Sequence, residues 1–194
     1  MIKWMALAAG LLLPAAAAAQ PVSVRDSFRI GSGAGVFCTA QSRVADPALG
    51  DMFDQAWSIL CRDAALSVGK LYALRTRGGD PVARLAQARA GEAACEPAGT
   101  ADLPGLGPTE TLACRLDEAD IGYRVYLRRE GGTVYVAEGL AGYDSALQLG
   151  LRSIVHDREV EGEVSVATTG AGDPAAFARL QAGTLDPQRA LARA

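Results

Sequence analysis

The chain contains no asparagine, a single histidine (His156) and only two lysines, Lys3 and Lys70. One imidazole cannot form a His-x-x-x-His pair. The cysteines, at positions 38, 61, 95 and 114, include no Cys-x-x-Cys, so a zinc site is not expected. Cys/His nucleophilic catalysis is disfavoured for the same reason: it needs a free thiolate next to a base. His156, beside Asp157 at the end of an expected helix, reads as a cation on the helix dipole. Basic charge comes almost wholly from scattered arginines, and the formal net charge is −3. No run of them is long enough for a nucleic-acid footprint. The glycines of Gly31-Ser32-Gly33-Ala34-Gly35 lack the spacing of a dinucleotide fingerprint and open no helix. Asp117, Glu118 and Asp120 read as a solvated acidic turn and not as a calcium or glycosidase site. No cofactor, metal or catalytic residue is expected.

What the chain does have begins with a leader. Lys3 precedes an apolar stretch from Trp4 to Leu13, then Pro14 and the small residues Ala15 to Ala19. This is the pattern of a cleavable signal peptide over residues 1–19. The stretch is shorter than the roughly 20 apolar residues of a membrane-spanning helix. Export is expected, to the periplasm or beyond, with no stable membrane anchor after cleavage. In an oxidising compartment four cysteines imply two disulfides, for which three connectivities are formally open.

A motif occurs twice at an offset of 53 residues: Cys61-Arg62, Val68-Gly69 and Leu74-Arg75 return as Cys114-Arg115, Ile121-Gly122 and Leu127-Arg128. It suggests two tandem units, and pairing Cys38 with Cys61 and Cys95 with Cys114 gives each unit its own bridge. Such bridges contribute about 3 kcal/mol each in the chain-entropy picture. In the first unit, Val22–Ile30 reads as a lead-in strand, followed by a flexible glycine run and a short strand at Val36–Thr39. Asp46-Pro47 opens a helix with Leu49, Met52, Phe53 and Ala56 inward. Strands are expected at Trp57–Arg62, Val68–Arg75 and Glu92–Cys95, with a second helix after Asp80-Pro81 carrying Val82, Leu85 and Ala86.

In the second unit, Glu96–Pro108 reads as a Gly/Pro-rich loop and Thr109–Arg115 and Ile121–Arg129 as strands. Tyr123, Val125 and Leu127 alternate with Arg124, Tyr126 and Arg128, one face core and the other wet. Gly131-Gly132 turns the chain into Thr133–Glu138, Asp144 caps a helix carrying Leu147, Leu151, Ile154 and Val155, and Val160–Thr168 is a further strand. Asp186-Pro187 starts a helix with no stop signal, as if the chain ran on. The expected fold is therefore α+β: two tandem strand-helix-strand units with short antiparallel sheets, each stapled by one disulfide, at 20–95 and 96–168, followed by a linker and the start of a helical region at 169–194.

The stretch Gly122 to Val155, GYRVYLRREGGTVYVAEGLAGYDSALQLGLRSIV, and the tail from Ser165, SVATTGAGDPAAFARLQAGTLDPQRALARA, resemble the exported N-terminal region that precedes tetratricopeptide repeats and a caspase-like CHAT domain in some alphaproteobacterial proteins. The resemblance implies a partner-facing or regulatory module that meets a protein partner or a downstream helical-repeat region. The catalytic His and Cys of the CHAT domain have no counterparts in these residues.

Arg75 and Arg128, at equivalent repeat positions, and Tyr72, Tyr123, Tyr126 and Tyr135 on neighbouring strands form the candidate binding set, since Arg and Tyr are enriched in recognition patches. The expected function is that of an exported, non-enzymatic interaction or regulatory module. The alternatives are a periplasmic binder of small ligands or cell-wall fragments and a disulfide-stapled enzyme inhibitor.

Overall fold

Strand propensity and period-2 patterning dominate the middle of the chain, and the computed structural model turns them into one antiparallel sheet. It describes residues 26–33, 35–42, 53–62, 64, 67–75, 80, 82–83, 93–116 and 121–167. The strands are β1 (Ser27–Gly33), β2 (Val36–Ser42), β3 (Phe53–Cys61), β4 (Ser67–Arg75), β5 (Ala93–Leu103), β6 (Gly107–Leu116), β7 (Ile121–Glu130) and β8 (Thr133–Leu140). Their order across the sheet is β1-β2-β3-β4-β8-β7-β6-β5. A 3-10 turn (Ala141–Tyr143) leads into the helix α1 (Asp144–His156).

The expected pair of strand-helix-strand units is not formed. β8 pairs with β4 along Gly69↔Gly139 to Arg75↔Thr133 and with β7 along Tyr123↔Leu140 to Glu130↔Thr133, so the two halves share one sheet. The reason lies in β8 itself. Val134, Val136 and Ala137 are each at most 1 % exposed, and a strand apolar on both faces belongs in a sheet's centre with cover on both sides. A boundary at 95/96 would cut through β5.

Local expectations fail for related reasons. Phe53 and Ala56, assigned to a helix face, lie in β3, whose Trp57, Ile59 and Cys61 alternate into the core. Glu96–Pro108 is no loop: its first part belongs to β5, and Pro97 and Gly99 mark a register shift against β6. Proline lacks the N–H that an interior strand donates, and an edge strand with a bulge is where it fits. The lead-in strand reaches Gly33, so the glycine run contributes to β1. Residues 160–167 follow α1 without forming a strand. The signal segment, the Asp46-Pro47 helix start with Leu49 and Met52, the positions Leu85 and Ala86, the acidic turn at 117–120 and the stretch from Thr168 onward lie outside the described residues. Asp80 does accept a 3.1 Å hydrogen bond from the Val82 N–H, the capping geometry expected there.

Both disulfides join directly opposed residues of neighbouring strands, Cys38–Cys61 between β2 and β3 and Cys95–Cys114 between β5 and β6. The duplicated motif does not produce duplicated geometry. Gly69 faces Ile59 in the first hairpin, whereas its counterpart Gly122 faces Arg115, the counterpart of Arg62, in the second, and a shift between Ile59 and Leu60 interrupts only the first. The Cys38–Cys61 bridge consequently sits in the core cluster that includes the helix, and Cys114 in the other.

The helix-side core gathers Phe28, Ile30, Trp57, Ile59 and Leu71 from the sheet with Ala146, Leu147, Leu149, Leu151 and Ile154 from α1. Each fully buried Leu or Ile contributes about 1.5–3 kcal/mol. Close docking depends on missing side chains: a Cβ on Gly69 would lie 2.6 Å from Leu147 Cδ2, and one on Gly139 2.4 Å from the Val68 carbonyl oxygen. The opposite face carries Ala56, Tyr72, Leu74, Val125, Leu127, Val134 and Val136, with Val82 packed on it. After α1, Asp157 turns in the left-handed region (φ 50°), and the chain returns across the helix side. Val164 is fully buried there, and Ser165 and Ser145 exchange two 3.0 Å hydrogen bonds.

Candidate functional site

Alternation along β7 sends Arg124, Tyr126 and Arg128 toward the helix, while Tyr123, Val125 and Leu127 take the other face. On α1, Asp144, Gln148 and Arg152 recur every four residues and form one stripe. Where strand and stripe meet, the Tyr126 hydroxyl donates to Asp144 Oδ1 at 2.7 Å and accepts from Gln148 Nε2 at 3.0 Å. Arg124 Nε lies 3.7 Å from the same Asp144 oxygen, an ion-pair contact longer than a hydrogen bond. Burial pushes the Tyr126 hydroxyl up to about 12, and the neighbouring Asp144 carboxylate adds to the rise. Burial also raises Asp144, against the lowering effects of the Tyr126 hydrogen bond and Arg124. A phenol this hard to ionise is no base or nucleophile near neutrality. The cluster is a hydrogen-bonded clasp that fixes the first turn of α1 on the sheet.

The C-terminal end of α1 is clasped differently. The tip of the β5–β6 hairpin bends over it, with Leu103 and Leu106 buried. His156 Nε2 lies 2.9 Å from the Gly105 carbonyl oxygen. Because a carbonyl only accepts, Nε2 carries the proton. Arg152 runs beside Gly105, at 3.5–3.9 Å from the position a Cβ there would take. Arg128 Nη1 donates to the Pro108 carbonyl at 2.9 Å, and its Nε is 3.9 Å from Glu130. Tyr135, opposite Arg128 on β8, is half-buried with its hydroxyl raised first by burial and then by Glu130.

The sequence-derived set does not converge on one surface. Tyr126, Arg128 and Tyr135 share the helix side. Tyr72 is on the other face, fully buried, donating a 2.9 Å hydrogen bond to Glu138 Oε1. Tyr123 is half-buried opposite Cys114. Arg75 ends β4 opposite Thr133, and its side chain is outside what the structure describes. The expected wet face of β7 is dry at its middle, since Tyr126 is only 4 % exposed beneath α1.

Sequence reasoning missed Glu138, which is 1 % exposed and faces Lys70 across β4 and β8. The signal was present, because Glu138 continues the apolar series Val134, Val136 at the same spacing. It also missed Gln148 and Arg152, and it read Asp144 as a cap, although Asp144 is the first helical residue and its side chain makes no capping bond.

All four cysteines are bridged, a state that belongs to an oxidising environment. Among the described residues there is no group of three or more His, Cys, Asp or Glu placed to hold a metal, and no helix is long and apolar enough to cross a membrane. No protein-family model, curated protein or solved structure matches the chain.

Proposed function

We propose that this protein is an exported, disulfide-braced interaction module without catalytic activity, delivered by the leader at residues 1–19. The observation that carries this reading is how its reactive groups are used. The Tyr126 phenol and Asp144 carboxylate are bonded to each other, His156 holds a hairpin tip, and every thiol is oxidised. Side chains that elsewhere perform acid-base or nucleophilic chemistry are here spent on holding α1 and the β5–β6 hairpin to a rigid sheet. A scaffold of this kind presents surface at low ordering cost, which favours recognition. The resemblance to exported regions ahead of helical repeats and CHAT domains points to a protein partner.

A second reading, a binder of small anionic ligands, is favoured by Arg152. Among the described residues its guanidinium Nε is buried without a hydrogen-bond partner, as is that of Arg128. Native gel filtration of the exported fraction of the source organism, followed by immunoblotting, tests the main reading. A thiol-free species in a complex larger than the chain itself is expected. A reduced protein retained inside the cell overturns it, as does hydrolysis of peptide, ester or glycoside substrates that disappears in Tyr126→Phe.

A further inference from the structure

At the β1-β2-β3 end of the sheet, two cations share one aromatic ring. The Arg29 guanidinium carbon lies 5.4 Å from the Phe37 ring centroid and that of Arg62 lies 5.9 Å from it. Arg29 comes from β1, Phe37 from β2, and Arg62 immediately follows β3, its N–H donating to the Phe37 carbonyl at 2.9 Å. The ring thus stands between the two charges. Both arginines are exposed and Phe37 is half-buried. Among the described residues neither guanidinium has a hydrogen-bond or ion-pair partner.

This arrangement is unusual for a surface of net negative charge. Exposed arginines on such a protein readily find carboxylates, as Arg129 does with Asp80 at 3.3 Å and Glu110 at 3.4 Å on β7. Arg29 and Arg62 are instead held by the face of a phenyl ring, which attracts each cation and narrows its rotamer freedom without neutralising it. The adjacent Cys38–Cys61 bridge joins β2 to β3 next to both Phe37 and Arg62. Two charges and an apolar plate are thereby fixed on a rigid frame, and Arg and aromatic side chains are the types that dominate binding hot spots.

We propose that Arg29, Phe37 and Arg62 form a docking site for an acidic, extended segment of a protein partner. Three adjacent strands span about 10 Å at 4.7–4.9 Å per step, and an extended segment, whose side chains alternate in direction, sets residues i, i+2 and i+4 on one face over about 13 Å, a difference the long Arg and Glu side chains bridge. The matching segment carries two carboxylates four positions apart with an apolar residue midway between them, on the same face, to lie on Phe37. The protein's overall negative charge repels such a segment elsewhere, so the site supplies register as well as attraction. The proposal rests on the reading of the chain as an interaction module.

The test is fluorescence anisotropy at low salt with the oxidised protein and a fluorescein-labelled peptide, GSEALAEGS, compared with GSEEALAGS, which has the same composition but adjacent acids. Wild type is expected to prefer the spaced peptide. Arg29→Glu with Arg62→Glu, or Arg29→Gln with Arg62→Gln if the reversal impairs folding, lowers its affinity at least tenfold, and Phe37→Ala abolishes the spacing preference. Arg115→Glu with Arg158→Glu, the same charge change elsewhere, leaves affinity within about twofold. No binding by wild type, equal binding of both peptides, or equal losses in the two reversed variants overturns the proposal. The large native complex sought in the exported fraction persists or not independently of these peptides, so the two failures are distinguishable.

Discussion

Gly139→Ala tests the β4–β8 seam at its tightest point, beneath α1. The added methyl would meet the Val68 carbonyl oxygen at 2.4 Å, Gly69 Cα at 2.6 Å and Leu147 Cδ2 at 3.0 Å. The first two are backbone atoms of the paired central strand β4. They cannot yield without disturbing the β4–β8 ladder, so the change falls at the upper end of the roughly 1–3 kcal/mol cost of overpacking. Gly150→Ala is the contrasting case. The three atoms nearest its Cβ all belong to the Leu71 side chain, Cδ1 and Cδ2 at 3.0 Å and Cγ at 3.5 Å, and alanine recovers about 0.8–1 kcal/mol of helix propensity. Gly150→Ala should therefore be near neutral. For a chain of this size 1 kcal/mol shifts Tm by about 2–4 °C, so Gly139→Ala should melt about 6–12 °C below wild type and Gly150→Ala within about 3 °C. Circular dichroism melts of the oxidised proteins measure both. A Gly139→Ala protein as stable as Gly150→Ala would refute the close approach of the β4 backbone to Gly139 at the β4–β8 seam.

Three further outcomes follow from the same contacts. The Tyr126 phenol titrates near 10 unfolded and at about 12 folded, so its contribution to stability is complete below pH 10 and is lost as pH rises from 10 through about 12. Urea unfolding across that range should show a fall that Tyr126→Phe makes shallower, and an unchanged slope would contradict the buried clasp. Asp144 titrates above its unfolded value, so its contribution grows as pH falls through its folded pKa and offsets part of the acid loss of stability, and Asp144→Asn should make the acid limb of the same profile steeper. Removing Cys38–Cys61 with alanines should cost more than removing Cys95–Cys114, because Cys38 and Cys61 are 0 % and 4 % exposed in the core while Cys95 is exposed. Each bridge is worth about 3 kcal/mol from loop closure alone, and equal urea midpoints for the two variants would oppose the burial difference.

Much of the local structure was legible because the signals were short-range. Gly131 and Gly132, with φ of 56° and 79°, make the hairpin that two consecutive glycines announce, and the apolar spacing from Leu147 to Ile154 marks α1. The cysteine pairing was legible as well, since each pair spans neighbouring strands with little intervening chain. The sheet order was not. The β4–β8 seam joins residues 58 to 70 positions apart in sequence, and nothing local distinguishes a strand that closes its own unit from one that joins two. β5 was hidden by Pro97 and Gly99, whose turn chemistry an edge strand with a bulge accommodates. The candidate site was half legible: Arg128 and Tyr126 were identifiable as interacting residues, but their partners Pro108, Asp144 and Gln148 depend on where α1 and the hairpin tip dock. Arg29 and Arg62 were passed over because their common partner, Phe37, sits on a strand between them.

The continuous sheet positions every feature discussed, and its seam is directly observable. Inter-strand nuclear Overhauser contacts in isotopically labelled, oxidised protein should link Leu71 with Ala137, Tyr72 with Val136 and Ala73 with Tyr135, the facing residues of β4 and β8. Finding them establishes one sheet. Their absence, with the halves before and after residue 92 tumbling independently, would contradict the account at its centre.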